Sequence, residues 1–394
     1  MVVSLIIQSQ TTVKPDEITI KDGLLQGFIS TMIQDREGFL WFGSKNGLNR
    51  YDGEHFQIFV NDRSNPYSIS GDFIRSIYEE GDFILVGTHQ NGLSIYHKKS
   101  QRFYIIPDIN LGKKGKDIQI AHLVKDTFGR FWFVDSINDR IVRIEFPDNF
   151  WEALPNDESV LSNIKIESIA LKSIHNFELN DEKGKLIVIN SNEDTVLWII
   201  DVKSLEKEKN LIEITSDKMK LSNIFILNQN SIIVNEVDKK TGRTNWNNSL
   251  WNYKTNTRQT PQGYEIRNNL FKNDYFIGFQ TLEEEWMFYK NDKFSLLSLK
   301  PENAEFKFKK KGYVIKSSLV DQSGNLWLGT DGFGVLKITA RKSSIKSYGD
   351  FYFGKNPYMS EDGEIIVDIG FPDYPESFYH PGKNPKFNNN GILD

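Results

Sequence analysis

Short apolar runs separated by glycine-containing turns recur along most of the chain. In the first set, Ile29–Gln34, Phe39–Gly43, Leu48–Tyr51 and Phe56–Val60 have the length and composition of four successive β-strands. The Asp52-Gly53 pair between the last two is a strong hairpin signal, because glycine accepts a positive φ. The pattern therefore predicts a four-stranded antiparallel unit rather than a pair of amphipathic helices.

The same unit recurs along the chain, most clearly around three tryptophans. Trp41, Trp132 and Trp327 each follow an aspartate by six positions and a glycine by three. Weaker copies extend the series, and the tryptophan-equivalent positions are 41, 85, 132, 187, 233, 276, 327 and 366. Their average separation of about 46 residues is typical of propeller blades.

The repeats predict an all-β protein, a β-propeller of seven or eight four-stranded blades, with eight repeats counted. We expect the three tryptophans to be buried between blades and Gly43 and its equivalents to lie where neighbouring blades approach closely. Glu17–Ile20 precedes the first repeat and is expected to supply the outer strand of the last blade, which would close the ring.

Composition supports this fold and excludes several functions. The 394 residues include 13% aromatic residues, 28 glycines and no cysteine, so disulfides and thiolate metal sites are excluded. The net charge of −5 without a basic cluster argues against nucleic-acid binding. No apolar run has the roughly 20 residues of a membrane span.

The chain divides into three predicted regions. Residues 1–15 contain the short apolar stretch Val2–Ile7 and are either a signal-peptide remnant or a disordered tail. Residues 16–383 form the predicted propeller. Residues 384–394, which are rich in asparagine, form a flexible tail or linker.

The motif Asp35-Arg-Glu-Gly38-Phe-Leu-Trp41-Phe-Gly43, followed by Asn46-Gly47-Leu48, resembles the two-component regulator propeller repeat. The resemblance is close at 23–59, 70–104 and 312–340 and fair at 118–146, whereas 160–300 keep only the hydrophobic spacing. It implies a periplasmic or secreted sensor that acts as a homodimer and binds an oligosaccharide. The family's kinase, receiver and DNA-binding motifs are not found in this sequence.

Strand direction alternates within a blade and so separates two faces. The loops between blades and the loops between second and third strands form one face, here named the variable face. The Asp-x-x-Gly turns and third-to-fourth hairpins form the other, here named the turn face, and its repeated chemistry indicates a structural role. Polar loops on a rigid scaffold commonly bind ligands, and the candidate ligand-binding residues of the variable face are Asn46, His89, Gln90, Asn91, His122, Asn138, Asp139, Asn192, Asp331 and Phe333.

Two other functions remain open from the sequence. A carbohydrate-active lyase or hydrolase is the first, because some propeller lyases resemble this repeat pattern and His89, His122 and His175, from different blades, could gather over the central channel. A protein-interaction scaffold is the second alternative. The six histidines are scattered singly without metal-ligand spacing, so we expect no metal, no cofactor and no catalytic activity.

Overall fold

The computed structural model describes residues 15–106, 118–171, 174–180, 184–190, 196–211 and 314–339, together with the strands named below within 219–297 and 352–370. The described residues fall into two compact units, 1–340 and 341–394. Of the tails expected at 1–15 and 384–394, residues 1–14 and 384–394 lie outside the described residues, and the predicted propeller span of 16–383 stays a prediction.

The first unit contains seven four-stranded antiparallel sheets, named blades 1 to 7 in chain order. Blade 1 consists of Ile29–Gln34, Leu40–Ser44, Leu48–Tyr51 and Phe56–Phe59. Blade 2 consists of Ile74–Glu80, Phe83–Thr88, Leu93–His97 and Arg102–Ile105. Blade 3 consists of Ala121–Lys125, Phe131–Asp135, Arg140–Glu145 and Lys165–Ala170. Blade 4 consists of Ile174–Asn180, Lys185–Asn190, Val196–Asp201 and Lys207–Leu211. Blade 5 consists of Met219–Asn228, Ser231–Asp238, Ser249–Asn252 and Thr257–Gln259. Blade 6 consists of Ile266–Lys272, Ile277–Thr281, Trp286–Lys290 and Lys293–Leu297.

Blade 7 takes its strands from both ends of this unit. Ile315–Val320, Leu326–Thr330 and Val335–Ile338 are its first three strands, and Asp16–Ile18 is the fourth. Glu17 pairs with Leu336 in an antiparallel register. The N-terminal strand therefore belongs to the seventh repeat, whereas eight repeats were counted in the sequence.

The eighth predicted repeat falls in the second unit, 341–394. The described residues there form two short ladders, Tyr352–Phe353 with Ile369–Gly370 and Tyr358–Met359 with Ile365–Ile366. The tryptophan-equivalent position 366 lies in the second ladder, and an eighth blade stays a prediction.

The repeated aspartate and tryptophan are joined by a buried hydrogen bond on the turn face. Trp41 Nε1 donates to Asp35 Oδ2 at 2.8 Å, and the bonds from Trp132 to Asp126 and from Trp327 to Asp321 measure 2.9 and 2.7 Å. The other carboxylate oxygen accepts amides of the turn, such as Phe39 N–H at 2.9 Å from Asp35. Each aspartate therefore fixes the turn and the indole together, which explains the six-residue spacing.

The three tryptophans are buried between blades, as predicted from the sequence. Trp41 packs with Ile77 and Tyr96 of blade 2, and Trp132 packs with Val188 of blade 4. Trp327 of blade 7 packs with Phe42 of blade 1 at a ring-centroid distance of 6.1 Å. The repeat residues thus supply the core between successive sheets, including the pair at the two ends of the first unit.

Glycine in the second strand allows neighbouring blades to touch, which confirms the prediction for Gly43. A Cβ on Gly43 would lie 2.8 Å from Ile74 Cγ2 of blade 2, and one on Gly329 would lie 2.8 Å from Ile29 Cγ2. Inner-strand serines reinforce these contacts, since Ser76 Oγ donates to the Ile120 carbonyl at 2.9 Å. Ser317 makes the equivalent bond to Ile29 at 3.1 Å.

Short helices are confined to connections. A 3₁₀ turn, Ile20–Asp22, follows the N-terminal strand, and the helix Phe150–Ala153 and the 3₁₀ segment Glu158–Asn163 lie between the third and fourth strands of blade 3. In the described part of the chain, no helix has the length and apolar character needed to cross a membrane.

Candidate functional site

An aromatic row lies on the variable face, where the inner strands of blades 1 and 2 begin. Phe28 and Phe73 stand immediately before Ile29 and Ile74, so the repeat places them at equivalent positions. Their rings meet edge to face at 6.1 Å between centroids, and the His89 ring lies 4.9 Å from that of Phe73. Rows of half-exposed rings are surfaces on which the apolar face of a ligand can stack.

Two cations flank this row. Lys45 Nζ lies 4.1 Å from the Phe28 ring centroid and 6.0 Å from that of Phe73. The Arg75 guanidinium carbon lies 5.4 Å from the centroid of Phe73. Both cations therefore lie within reach of cation–π attraction to the same ring.

Arg75 has neutral neighbours on the adjoining blade. With the Gln119 amide oxygen facing the guanidinium, Arg75 Nε and Nη2 donate to it at 3.3 Å, and the amide nitrogen donates to Ser136 Oγ at 2.8 Å. Burial lowers the pKa of the Arg75 guanidinium. Arg75 remains cationic at neutral pH, because its ordinary pKa lies far above 7.

His122 lies on the inner strand of blade 3, where the register with Phe131–Asp135 shifts. Its φ of 56° places it in the left-handed region. The residue is exposed at the surface, yet burial among the surrounding protein atoms, followed by the charge of Arg75, lowers the pKa of His122 to about 4. The imidazole is therefore neutral at pH 7.

Several predicted site residues are engaged in holding the loops. The Gln90 carbonyl accepts the Ile118 amide at 3.2 Å, and the Asn91 side chain packs over Gly71. Asn138 Nδ2 donates to Asp135 Oδ2 at 2.8 Å. The Asp139 carbonyl accepts the Leu171 amide at 2.9 Å, so these polar groups connect neighbouring segments of the variable face.

The remaining predicted residues are spread around the same face. Asp331 forms an isolated backbone bridge with Phe28, and this bridge joins blades 7 and 1. The Asp331 carboxylate lies 3.3 Å from Lys316 Nζ. The Phe333 ring is 55% exposed and Asn46 is also exposed. Asn192 lies outside the described residues. The structure thus brings His89 together with Phe28 and Phe73, and Asp331 adjoins this row through Phe28.

Sequence reasoning missed four residues of the row and its flanks, namely Phe28, Lys45, Phe73 and Arg75. The repeat contains a signal for the two phenylalanines, because each precedes the inner-strand isoleucine that packs against a neighbouring blade. Lys45 of blade 1 reaches Phe73 of blade 2 only because the two blades pack together, and this contact has no counterpart in the spacing of the motif.

A separate cavity of about 430 Å³ lies on the turn face between blade 2 and the short helix of blade 3. Phe83 forms its wall, with the His97 ring stacked at 4.7 Å and Trp151 at 5.2 Å. Lys99 pairs with Asp82 at 2.6 Å at its rim. Glu80, which also lines the cavity, pairs with Lys125 at 2.7 Å, so these three charged groups already have partners within the protein.

Comparison with known proteins agrees with the repeat and the fold. Residues 23–46 match the family model described as two component regulator propeller. This chain carries a two-component regulator propeller repeat. A stretch of 49 residues, 12% of this chain, is 43% identical to histidine kinase P4 of Formosa agariphila and covers 4% of that kinase.

Solved structures similar to this propeller belong to both sensors and enzymes. The extracellular domain of a hybrid two component system from B. thetaiotaomicron matches with a TM-score of 0.60 and 17% identity, over 91% of this chain and 47% of that one. A catalytically inactive virginiamycin B lyase from Staphylococcus aureus matches with a TM-score of 0.55 and 12% identity, over 83% and 99%. At these identities the likeness establishes the β-propeller fold, while function must be argued from the site.

A metal site and the predicted lyase group each require several side chains to lie close together. Across them, no three histidine, aspartate or glutamate side chains gather closely enough to hold a metal ion. The predicted lyase group would need His89, His122 and His175 together, and the His175 side chain lies outside the described part of the structure.

Proposed function

We propose that this chain is a ligand-sensing extracytoplasmic propeller of a two-component signalling system, and that it binds an oligosaccharide on the variable face. The aromatic row of Phe28, Phe73 and His89 is the observation that carries the proposal. The propeller repeat at 23–46 and the similarity to the extracellular domain of a hybrid two component system support the sensing role.

The chemistry of this face suits a sugar ring. A pyranose has an apolar face of C–H groups that stacks on aromatic rings, and hydroxyls around its edge that need hydrogen-bonding partners. Ser136 and Gln119 lie beside Arg75 on one side of the row, and Asp331 adjoins Phe28 on the other. Stacking with a few polar groups at the edge is the usual composition of a small-ligand site.

The buried backbone beneath the row also favours ligand binding. Phe28 and Phe73 precede isoleucines that are fully buried between blades, which fixes the start of each inner strand. A fixed surface lowers the ordering cost when a ligand binds. The chain spans 47% of the similar extracellular domain. Transmission of the signal to a kinase and the homodimer implied by the family resemblance are therefore part of this proposal.

A glycan panel tests the proposal directly. The purified chain is screened by thermal shift against neutral and acidic oligosaccharides, and hits are measured by titration calorimetry and then recovered for chromatography. We expect saturable binding of at least one glycan, recovered at its original length. Silence across the panel on folded protein would refute the proposal, and shortened products would favour the lyase alternative.

A further inference from the structure

The charges on the variable face specify what kind of oligosaccharide fits. We infer that the ligand is an acidic oligosaccharide, whose anionic group is bound by Arg75 and Lys45 while a sugar ring stacks on the Phe28–Phe73 row. This inference rests on the proposed function and names its ligand class.

Arg75 and Lys45 have no acidic partner among the described residues, in contrast to Lys316 of the same face, which pairs with Asp331. Among the residues that the structure describes, no carboxylate oxygen lies within 4 Å of either charge, and the contacts of Arg75 are an amide and a ring. A half-buried charge without a counter-ion is costly, because burial removes water without replacing its stabilisation. An anion placed beside Arg75 would relieve that cost and gain charge-assisted hydrogen bonds.

Carboxylates near these cations are already occupied. Asp135 Oδ2 accepts Arg140 Nε at 2.8 Å, Asp331 lies 3.3 Å from Lys316 Nζ, and Asp72 Oδ1 accepts the Asn61 amide at 2.6 Å. Each of these acids would have to break its present contact before its side chain could rotate to Arg75. Arg75 and Lys45 are therefore the cations that lie beside the row and are open to an anionic ligand.

The turn face shows the opposite arrangement. Arg36 Nε lies 3.6 Å from Glu79, Lys98 lies within reach of Asp35, Glu37 and Glu79, and Lys125 lies 2.7 Å from Glu80. The chain has a net charge of −5, so acidic groups are abundant. Arg36, Lys98 and Lys125 therefore have acidic partners, which Arg75 and Lys45 lack in the described part of the chain.

The geometry matches the two parts of an acidic sugar. Arg75 and Lys45 lie 5.4 and 6.0 Å from the Phe73 ring centroid. An anionic substituent lies one or two bonds from the pyranose ring, so a ring stacked on Phe28 or Phe73 can bring it to one of these cations. The planar guanidinium presents two parallel N–H groups that fit a carboxylate or a sulfate.

A charge-matched pair of variants tests this inference. Arg75→Gln and Arg36→Gln each remove one guanidinium, on the variable and turn faces respectively. Each protein is titrated with uronate-containing oligosaccharides, sulfated oligosaccharides and neutral oligosaccharides of several linkages, at low and at high salt. We expect an acidic ligand to bind, to lose at least about tenfold in affinity with Arg75→Gln, and to keep its affinity with Arg36→Gln.

The outcomes separate the inference from the function on which it rests. Binding of a neutral glycan alone, unaffected by Arg75→Gln, would overturn the acidic ligand and leave the sensor proposal standing. Binding of an acidic glycan with equal losses in both variants would also overturn the role of Arg75. If no glycan binds to the folded wild-type chain, the proposed function itself fails. The uronate and sulfated arms identify which anion is bound.

Discussion

Asp321 shows how one residue holds a blade together. Its carboxylate accepts Trp327 Nε1 at 2.7 Å, the Asn325 amide at 2.8 Å and Asn325 Nδ2 at 2.8 Å. Trp327 is in turn packed between blades 7 and 1. The aspartate therefore links a tight turn to the core between sheets.

Asp321→Ala should destabilise the protein strongly, because the buried indole N–H and the Asn325 amide lose their acceptor. We expect a loss of about 2–4 kcal/mol in the free energy of unfolding, measured by urea denaturation. Asp52→Ala is the matched control, since Asp52 accepts the Glu54 and His55 amides in an exposed turn. Equal losses in the two variants would contradict the role of the buried aspartate.

His122 gives the protein a specific pH dependence. Burial, followed by the charge of Arg75, lowers its pKa to about 4, whereas a histidine in an unfolded chain titrates near 6.5. Between these values the unfolded chain binds a proton that the folded chain does not, so this group lowers stability as pH falls from about 6.5 to 4.

His122→Asn should flatten this part of the stability profile. Asparagine does not titrate there and tolerates the positive φ of this position. Urea denaturation at pH 7 and pH 4.5 should give a smaller difference for the variant than for the wild type. The pKa of His97 is also lowered, chiefly by burial, but this contribution is present in both proteins and cancels. An unchanged pH slope would contradict the lowered pKa.

At the scale of elements, the contact between blades depends on glycine in each second strand. Gly43 faces Thr31 of its own blade and Ile74 of blade 2, and its Cβ would lie 2.7 and 2.8 Å from their methyl groups. Those distances are too short for real carbon atoms, so an added methyl must push the inner strands apart. Phe28 and Phe73 directly precede these inner strands, which couples blade packing to the site.

Gly43→Ala should therefore cost about 1–3 kcal/mol of stability by overpacking. In an Ile74→Ala background, where one of the two clashing methyls is absent, the cost of Gly43→Ala should fall by at least about 0.5 kcal/mol. A double-mutant cycle of unfolding free energies measures this coupling. Additive costs would show that the two residues do not meet as described.

The strands of blade 1 could be predicted because the motif encodes them locally. The predicted second strand, Phe39–Gly43, is observed at Leu40–Ser44, and the inner strand Ile29–Gln34 has the predicted bounds. Turn glycines and the Asp–Trp bond act within ten residues, so their spacing determines the strands. By contrast, Arg75 acquires its environment from Gln119 and Ser136 of the next blade, which no local pattern specifies.

The candidate polar residues illustrate the same limit. Asn91 and Asn138 have the side chains expected of ligand-binding residues, but their observed contacts are with Gly71 and Asp135. The sequence identifies a polar loop, while the neighbouring blade decides which of its groups remain available. The aromatic row could have been predicted only by aligning the residues before Ile29 and Ile74 across the repeats.

At the scale of the first compact unit, the strand Asp16–Ile18 joins the N-terminal end to the seventh blade. The inner strands of blades 7 and 1 also contact each other, and Gln34 Oε1 accepts the Gln322 amide at 2.6 Å. The N-terminal strand covers the outer edge of Val335–Ile338, which would otherwise present unpaired backbone groups.

Removal of this strand should weaken the unit. A chain that lacks residues 1–18 should unfold at a temperature lower by about 2–5 °C than one that lacks residues 1–14, because only the first loses the ladder with blade 7. Differential scanning calorimetry compares the two. Identical transitions would show that Asp16–Ile18 contributes nothing to stability.

The central claim is that the aromatic row of the variable face binds the ligand, and an aromatic variant on each face tests it most directly. Phe73→Ala removes the middle ring of the row, whereas Phe128→Ala removes an exposed ring of the turn face that also lies beside cations, Arg130 and Lys203. Calorimetric titration with the glycan that binds best to the wild type should show binding abolished in Phe73→Ala and retained in Phe128→Ala. Retained affinity in a folded Phe73→Ala protein would contradict the claim.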